Sequence, residues 1–226
     1  GASALVHVQK QDMEKRIFLI PPQPTQIIIA ELLGAWDEAI SIRNALCAAK
    51  RLRREKLRSY LIARAQKGAD RTTFGSFLVE SRDPGSNGAM ARKISVKLYG
   101  KGAVEKNENR SGSENTRYYT RRSGQLIYSK LDFLNGAFAI IPPELNGFES
   151  TLDLPALDVS PDVNPKWIIE YVTRPTFYSQ QEHLAKGQRK ARRVAPDEFL
   201  SAPVYLPSRT IQDQIVDILV EADREI

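Results

Sequence analysis

The sequence is poor in the residue types that build catalytic and metal sites. Its 226 residues include one cysteine, Cys47, and two histidines, His7 and His183. A single cysteine excludes a disulfide framework and a thiolate metal site within one chain, which fits a reducing compartment. His183 has no second histidine four residues further on, so we expect both histidines to be ordinary surface residues. The composition therefore predicts no catalytic residue, no metal and no cofactor in this chain.

Long hydrophobic runs and nucleotide-binding motifs are also missing. No apolar run approaches the roughly 18 residues of a membrane span, and the first residues, GASALVHVQKQDM, lack the charged start and apolar core of a signal peptide. The chain has neither G-x-x-x-x-G-K-[S/T] nor G-x-G-x-x-G between a strand and a helix. We expect a soluble, cytoplasmic protein without a nucleotide site.

Basic residues outnumber acidic ones, which permits an anionic partner. The chain has 33 Lys and Arg against 27 Asp and Glu, a net charge of +6 and a pI near 9.4. A metal-dependent nuclease is the enzyme class to consider for such a protein, with Asp162 and Glu170 as candidate acids. The position two beyond Glu170 is Val172, where the common acid-acid-lysine pattern has a lysine. The motif is therefore not met, and a stand-alone nuclease is kept only as an alternative function.

One stretch of the sequence occurs twice. Residues 18–40, FLIPPQPTQIIIAELLGAWDEAI, return as VYLPSRTIQDQIVDILVEADREI at 204–226, and the offset is 207 − 21 = 186. This distance exceeds a solenoid period of about 20–50 residues, so we interpret the copies as one structural unit used twice. The identical pairs at this offset are Pro21/Pro207, Gln26/Gln212, Ile29/Ile215, Leu33/Leu219, Asp37/Asp223 and Ile40/Ile226.

The first copy opens a long predicted helix. From Thr25 to about Lys67 there is no proline and one glycine, Gly34, and apolar residues recur at steps of three and four. Two neighbouring apolar stripes suit a helix in a bundle of three or four, with helices of the same or of another chain. The stretch KRLRREKLR at 50–58 has six basic residues and one acid; it is either a solvated face or a track along a phosphate backbone. The predicted helix interface consists of Leu32, Leu33, Trp36, Ile40, Leu46 and Leu219.

The residues between the two copies predict a compact mixed domain. Glycine and proline punctuate short segments from Gly68 onward, and GQLIYSKL and GAFAIIPPEL are typical of strands. PKWIIEYVTRPTFYSQQEHLA at 165–185 predicts two helical pieces split at Pro175, and DEFLSAPVYLP predicts a last extended segment. The predicted fold class is α+β, in the order helix, globular insert, helix.

These segments, in this order, resemble the specificity subunit of type I restriction-modification enzymes. The resemblance is carried by the repeated proline, glutamine and long-helix pattern, by residues 123–159 and by GQRKARRVAPDEFL at 187–200. It implies a target recognition domain between conserved helices that pack as an antiparallel coiled coil or bundle. One such domain instead of the usual two implies a half-length form. The implied parts are a lead-in at 1–24, a long helix at 25–68, the recognition domain at 69–203 and the start of a second helix at 204–226.

The resemblance also implies a function and partners. The chain is expected to read double-stranded DNA in a sequence-specific way and to direct methyltransferase and restriction subunits to a bipartite target. Catalysis is expected in those subunits rather than in this chain. A homodimer through the conserved helices would restore two recognition domains and imply a palindromic, interrupted target. The alternative outside nucleic-acid recognition is a coiled-coil dimerisation scaffold.

Two basic segments are the predicted DNA contacts. KGQRKARRV at 186–194 has no acidic residue, and TRYYTRRSGQLIYSK at 116–130 interleaves arginines with tyrosines, which suits phosphate contacts and guanine edges. Tyr128 alternates within a strand and is predicted to pack in the core. A loop around 107–115, with Asn107, Asn109, Arg110 and Asn115, suits base edges, and a disordered loop fits equally well. The predicted DNA contacts are Arg117, Tyr118, Arg121, Arg122, Lys130, Lys186, Arg189, Lys190, Arg192 and Arg193.

Overall fold

A computed structural model describes residues 19–106, 112–187 and 192–226. By its internal contacts the chain divides into two compact units, Gly1–Lys50 and Arg51–Ile226. A long helix precedes a domain of antiparallel strands and short helices, which confirms the predicted α+β class. His7, Asn107, Asn109, Arg110, Arg189 and Lys190 lie outside the described residues.

The long helix, α1, extends from Gln23 to Gln66, a length of 44 residues. The predicted bounds, Thr25 to Lys67, differ by two residues at the start and one at the end. Pro24 lies in the first turn, where a missing N–H costs no intrahelical hydrogen bond. Helical hydrogen bonding ends just before Gly68, where the N–H of Lys67 bonds the carbonyl of Arg64 at 3.3 Å. The absence of an internal proline is thus what lets one helix continue this far.

Antiparallel pairing joins all the strands of the domain that the structure describes. A four-stranded sheet has the order β2-β10-β7-β8, a three-stranded sheet the order β3-β6-β9, and the pairs β4-β5 and β1-β11 complete the domain. The strands are β1 (Asp70–Thr73), β2 (Leu78–Ser81), β3 (Pro84–Asn87), β4 (Ile94–Val96), β5 (Ala103–Glu105), β6 (Arg117–Thr120), β7 (Leu126–Tyr128), β8 (Phe138–Ile140), β9 (Glu149–Ser150), β10 (Ala156–Val159) and β11 (Pro203–Leu206).

The remaining helices come after β10 in the chain, and β11 lies between the last two of them. Asn164 accepts the N–H of Lys166 at 2.8 Å and Pro165 is the first helical residue, a favourable N-cap and N1 pair. The helix break before Pro175 confirms the predicted split. The stretch predicted as extended at 197–207 is a short helix followed by β11, so that prediction was wrong for its first half. The helices are α2 (Pro165–Val172), α3 (Pro175–Tyr178), α4 (Pro196–Ser201) and α5 (Arg209–Arg224).

Aromatic side chains form the centre of the domain core. The Phe199 ring, on α4, lies 4.7 Å from Phe74 and 5.2 Å from Phe133, measured between ring centroids. Tyr128 is fully buried in the same cluster, and its hydroxyl donates to the carbonyl of Val194 at 3.3 Å. Burial raises the pKa of the Tyr128 hydroxyl. The prediction that Tyr128 packs in the core is confirmed.

The two copies of the repeated stretch share a local structure. The side-chain amide of Gln26 donates to the carbonyl of Pro21 at 2.7 Å, and that of Gln212 donates to the carbonyl of Pro207 at 2.8 Å. In both copies a proline-containing lead-in is thus tied to the first turns of a helix by the same bond over five residues. The repeat is therefore structural as well as sequential.

Candidate nucleic-acid interface

Two cations of the first predicted segment, Lys186 and Arg193, are bridged through their main chains, and we call this bridged pair the hairpin. Lys186 and Arg193 pair in antiparallel fashion, with N–H to carbonyl distances of 2.9 and 2.8 Å. The residues between them include Arg189 and Lys190, which lie outside the described residues. The two flanking cations are both exposed, and each is paired with an acid, Lys186 with Glu198 and Arg193 with Asp153. A phosphate group would have to compete with these carboxylates for the two cations.

Lys130 lies beside this hairpin, although 56 positions separate it from Lys186 (186 − 130 = 56). The N–H of Val194 donates to the carbonyl of Lys130 at 3.0 Å, and the N–H of Lys130 donates to the carbonyl of Asp153 at 2.9 Å. The fold thereby brings one residue of the second predicted segment to the first. We call Lys130, Lys186, Arg192 and Arg193 the hairpin cluster.

Arg192 stabilises the hairpin cluster from within. Its Nε donates to the carbonyl of Ala185 at 3.3 Å, and its Nη2 donates to the carbonyl of Glu182. The side chain is half-buried. A guanidinium that binds two carbonyls of its own loop has fewer donors left for phosphate, so the main contribution of Arg192 in the unbound chain is to hold the loop that presents Arg193.

Tyr118 lines a cavity of about 250 Å³, which is also lined by Ser129, the residue before Lys130. Ser129 and Asp132 form one wall, and the Ser129 hydroxyl donates to the Asp132 carboxylate at 3.2 Å. The ammonium of Lys93 lies 5.7 Å from the centroid of the Tyr118 ring, within reach of a cation–π contact. The cavity therefore places several hydrogen-bonding groups beside Tyr118.

Arg121 is a structural residue, and its assignment as a DNA contact is corrected here. The side chain has no exposed area. Its Nε donates to Ser150 Oγ at 2.8 Å, its Nη1 to the carbonyl of Ser81 at 2.8 Å and its Nη2 to the carbonyl of Leu154 at 3.4 Å. Burial lowers the pKa of Arg121 to about 10. The guanidinium joins β2, β9 and the turn before β10 instead of facing solvent.

Arg122 and Arg117 face solvent but are not part of the hairpin cluster. Arg122 makes ion pairs with Asp83 and, at 3.0 Å, with Asp158, and these hydrogen bonds raise its pKa. It precedes β7 whereas Lys130 follows it, so the three residues of this strand, about 10 Å at 3.3 Å per residue, lie between the two cations. Arg117 is exposed on β6 opposite Asn87. The predicted segment at 116–130 thus contributes to two different sheets.

Three further cations near this surface were missed from the sequence. Arg92 stacks its guanidinium 3.9 Å above the centroid of the Phe148 ring, and Lys93 and Lys106 line the Tyr118 cavity. These residues lie in an unremarkable stretch, and the N–H of Lys106 bonds the carbonyl of Lys93 at 2.8 Å through the β4-β5 hairpin. The pairing of β4 with β5, which local composition does not specify, brings Lys93 and Lys106 together at the cavity.

The residues predicted for a helix interface fall into two environments. Leu219 is 1% exposed in the core of the domain. The five predicted residues of α1 are all more than half exposed in the chain, at 52–62% of their surface: Leu32, Leu33, Trp36, Ile40 and Leu46.

A network of ions ties the end of α1 to α2 and α5. Arg54 donates to both oxygens of Glu170 at 2.6 and 2.8 Å and to both oxygens of Asp223 at 2.9 Å. The hydrogen bonds to Glu170 and Asp223 raise the pKa of Arg54. Glu170 was the glutamate of the nuclease alternative, and here its carboxylate is engaged by arginine. Arg53 also approaches Glu225 at 3.8 Å, so α5 runs antiparallel to the end of α1.

In the described part of the chain, no helix combines the length and apolar character needed to cross a membrane. No protein-family model and no curated protein match the sequence.

Three solved structures share the fold. The HsdS subunit from Thermoanaerobacter tengcongensis is 16% identical, with a TM-score of 0.53 over 92% of this chain and 52% of that one. The type I restriction-modification S subunit from M. genitalium is 15% identical, with a TM-score of 0.56 over 90% and 55%. A chain from a type I restriction-modification system, in a study of complex assembly and conformational transition, is 12% identical, with a TM-score of 0.57 over 99% and 58%.

These matches confirm, at the level of fold, the resemblance seen in the sequence. The chain has the fold of type I restriction-modification S subunits, over about half of their length.

Proposed function

We propose that this chain is a DNA specificity subunit of a type I restriction-modification system. Residues 69–203 would form the recognition domain, residues 25–68 and 204–226 the helices that hold it, and residues 1–24 the lead-in. The chain would act in the cytoplasm and perform no catalysis. The observation that carries the proposal is the S-subunit fold together with the hairpin cluster, which joins cations from two distant segments.

The hairpin cluster would supply phosphate contacts that set the position of the domain on duplex DNA. Its exposed members, Lys186 and Arg193, bond each other through their main chains and lie next to Lys130, too close together for all to reach base edges. Phosphate contacts position a protein, and base-edge contacts specify the sequence. Arg117, which is exposed on β6, and Tyr118, which lines the cavity, are the proposed sources of base contacts.

A salt titration of DNA affinity tests the phosphate role. The double variant Lys130→Ala/Arg193→Ala should weaken binding to specific and random duplexes alike, and it should reduce the slope of log affinity against log salt by roughly 1–2 units. The matched control is Lys67→Ala/Lys166→Ala, which removes two exposed cations, one in the turn after α1 and one on α2, and the same net charge. A double variant with the slope of the native chain would place the phosphate contacts elsewhere.

The base-reading role has a different signature. If Arg117 bonds a guanine edge, Arg117→Ala should cost about 1–3 kcal/mol on the preferred duplex and little on random DNA. Arg122→Ala is the control, because Arg122 is already held by Asp83 and Asp158. Equal losses on both DNAs would make Arg117 another phosphate contact.

The proposal extends to partners. Methyltransferase subunits would dock on the conserved helices, a restriction subunit would join through that complex, and two copies of this chain would associate through α1 to present two recognition domains to a bipartite, palindromic target. The exposed apolar residues of α1 support an intermolecular role for that helix. A chain that self-associates without binding DNA would be a scaffold, and magnesium-dependent cleavage by the purified chain would make it a nuclease.

A further inference from the structure

The turn between β4 and β5 has a tyrosine at a position where the backbone favours asparagine or glycine. Tyr99 and Gly100 have φ angles of 59° and 66°, and the N–H of Lys101 donates to the carbonyl of Leu98 at 3.3 Å. Two-residue hairpin turns of this kind need a positive φ at both central residues, so Asn-Gly is their preferred sequence. In the described ranges of the chain, Tyr99 is the one residue other than glycine with a positive φ. Its backbone is therefore strained.

Burial of the Tyr99 ring does not explain this strain, because the residue is 60% exposed. The main chain of the turn is nevertheless fixed: the N–H groups of Tyr99 and Gly100 donate to the carbonyls of Asn135 and Gly136 at 2.9 and 2.8 Å. A Cβ on Gly100 would lie 2.8 Å from Thr173 Cγ2, so the turn packs closely against the end of α2. The fold thus holds an exposed aromatic residue on a rigid turn, which suits a contact with a partner.

Three exposed cations accompany Tyr99. Lys97 and Lys101 lie on either side of it in the chain, and Arg51 of α1 lines the same cavity of about 630 Å³ as Tyr99. None of these three cations makes an ion pair with a residue in the described ranges. We call Arg51, Lys97, Tyr99 and Lys101 the turn cluster. The carboxylates of the cavity are instead engaged by two other arginines of α1, and they belong to Glu55, Glu170 and Asp223.

The basic stretch of α1 at 50–58 therefore has two roles. The side chains of Arg54 and Arg58 are 11% and 8% exposed and belong to the ion network, whereas Arg51 is exposed beside the turn. The hairpin cluster differs, because Lys186 and Arg193 are paired with acids. A cation without a carboxylate partner can bind phosphate without first losing an ion pair. The turn cluster is in this respect better prepared for phosphate than the hairpin.

The loop after β7 brings the turn cluster close to the hairpin cluster. The N–H of Ser129 donates to the carbonyl of Ala137 at 3.0 Å and closes this loop, and the Gly136 carbonyl accepts the N–H of Gly100. Lys130 is thus two hydrogen-bonded neighbours away from the turn, a distance on the order of 10 Å at the spacing of paired strands. One strand of a DNA duplex rises about 3.4 Å per nucleotide, so about three phosphates cover this distance.

We propose that the turn cluster binds the phosphate backbone of the DNA duplex, next to the phosphates held by the hairpin cluster. Arg51, Lys97 and Lys101 supply charge, and the Tyr99 hydroxyl donates a hydrogen bond to a phosphate oxygen. The inference rests on the proposed function and lengthens the DNA contact by about three nucleotides on one side. The continuity of the two clusters favours the DNA over an acidic protein surface as the occupant.

A salt titration on a long random duplex tests the charges. Arg51→Ala/Lys101→Ala should reduce the slope of log affinity against log salt by roughly 1–2 units, as expected for about two lost phosphate contacts. Lys67→Ala/Lys166→Ala removes the same charge and should keep the native slope. A native slope for Arg51→Ala/Lys101→Ala would overturn the inference. If that variant instead loses binding to the purified methyltransferase, the surface contacts an acidic protein and the inference is wrong.

Tyr99 gives a readout that a structural role would not produce. Tyr99→Gly suits the backbone of the turn, so its midpoint of thermal unfolding should equal or exceed that of the native chain. Its affinity for the duplex should fall roughly fivefold, and Tyr99→Phe should lose as much, because both lack the hydroxyl. Tyr205→Phe, at a 42% exposed position on β11, is the control. Native affinity for both Tyr99 variants, or a lower unfolding midpoint for Tyr99→Gly, would contradict the assigned role.

The same titration separates this inference from the proposed function. If Lys130→Ala/Arg193→Ala lowers the salt slope and Arg51→Ala/Lys101→Ala does not, the turn cluster alone is refuted. If the native chain does not bind the duplex at low salt, the proposed function fails, and the turn cluster fails with it.

Discussion

Two stretches of this molecule share a sequence pattern, with six identical pairs in 23 positions, but have opposite surroundings. Ile215 and Leu219 of α5 are 4% and 1% exposed, whereas their counterparts Ile29 and Leu33 of α1 are 44% and 58% exposed. The glutamine at the start of each copy makes the same bond to a proline carbonyl. A repeated sequence thus reproduces the local structure, while burial depends on what the rest of the chain places beside it.

The neighbour of α5 is the capped start of α2. The N–H of Asn164 donates to the side-chain oxygen of Gln212 at 2.8 Å, and its side-chain amide donates to Asp213 at 2.6 Å. At the same positions of the first copy stand Gln26 and Ile27. The glutamine is retained, and the acid that would bind a polar cap is replaced by an apolar residue. The first copy is therefore suited to a more apolar partner than α2.

The largest expected difference between the copies is at the matched leucines. Leu219→Ala should lower the free energy of unfolding by about 2–5 kcal/mol, because it removes a fully buried side chain from the core. Leu33→Ala should change the stability of the isolated chain by less than about 0.5 kcal/mol, because the side chain is exposed. Urea unfolding of both variants at several protein concentrations measures this. Similar losses for both at low concentration would show that Leu33 is buried in the chain itself.

A smaller difference is expected at the matched glutamines. Gln212→Ala leaves the N–H of Asn164 and the carbonyl of Pro207 without their side-chain partner in a buried setting, which should cost about 1–3 kcal/mol. Gln26→Ala removes the same bond at an exposed position, where water replaces it, and should cost less than about 0.5 kcal/mol. Thermal unfolding compares the two variants. A Gln26→Ala loss as large as that of Gln212→Ala would indicate a hidden partner for the first copy.

The smallest expected effect is a pH dependence present in the second copy alone. Hydrogen bonds from Arg209 and then from Asn164 hold the pKa of Asp213 below its usual value. A carboxyl whose pKa is lower in the folded state stabilises the protein above the unfolded pKa of about 3.9, and this contribution is lost as the pH falls through the folded value. Asp213→Asn should therefore destabilise the chain at pH 7 and converge with the native chain in strong acid. A constant difference from pH 7 to pH 2 would contradict this linkage.

Features set by local sequence were predictable, and those set by distant pairing were not. The extent of α1 follows from the absence of proline between Thr25 and Gln66. The break before Pro175 follows because proline has no N–H to donate and its ring clashes with the preceding helical turn. Arg121 was misassigned because its acceptors are Ser150 and the carbonyls of Ser81 and Leu154, which lie up to 40 positions away. An alternating segment of arginine and tyrosine does not indicate which arginine points inward.

The same limit applies to the candidate interface. Lys186 and Arg193 are close in sequence, and their local clustering was visible from composition. Lys130 joins them only because the N–H of Val194 bonds its carbonyl, a contact over 64 positions (194 − 130 = 64). Conversely, Arg122 is only eight positions from Lys130 (130 − 122 = 8), yet the two residues lie at opposite ends of β7. Sequence proximity therefore grouped residues that the sheet separates.

Selection of bound duplexes from a random pool tests the central claim most directly. The chain, purified with its partner methyltransferase, should enrich one sequence in two half-sites separated by a spacer of fixed length, and the Lys130→Ala/Arg193→Ala variant should enrich the same sequence with weaker retention. Retention of duplexes without any enriched sequence, or no retention at low salt, would contradict the assignment of this chain as a specificity subunit.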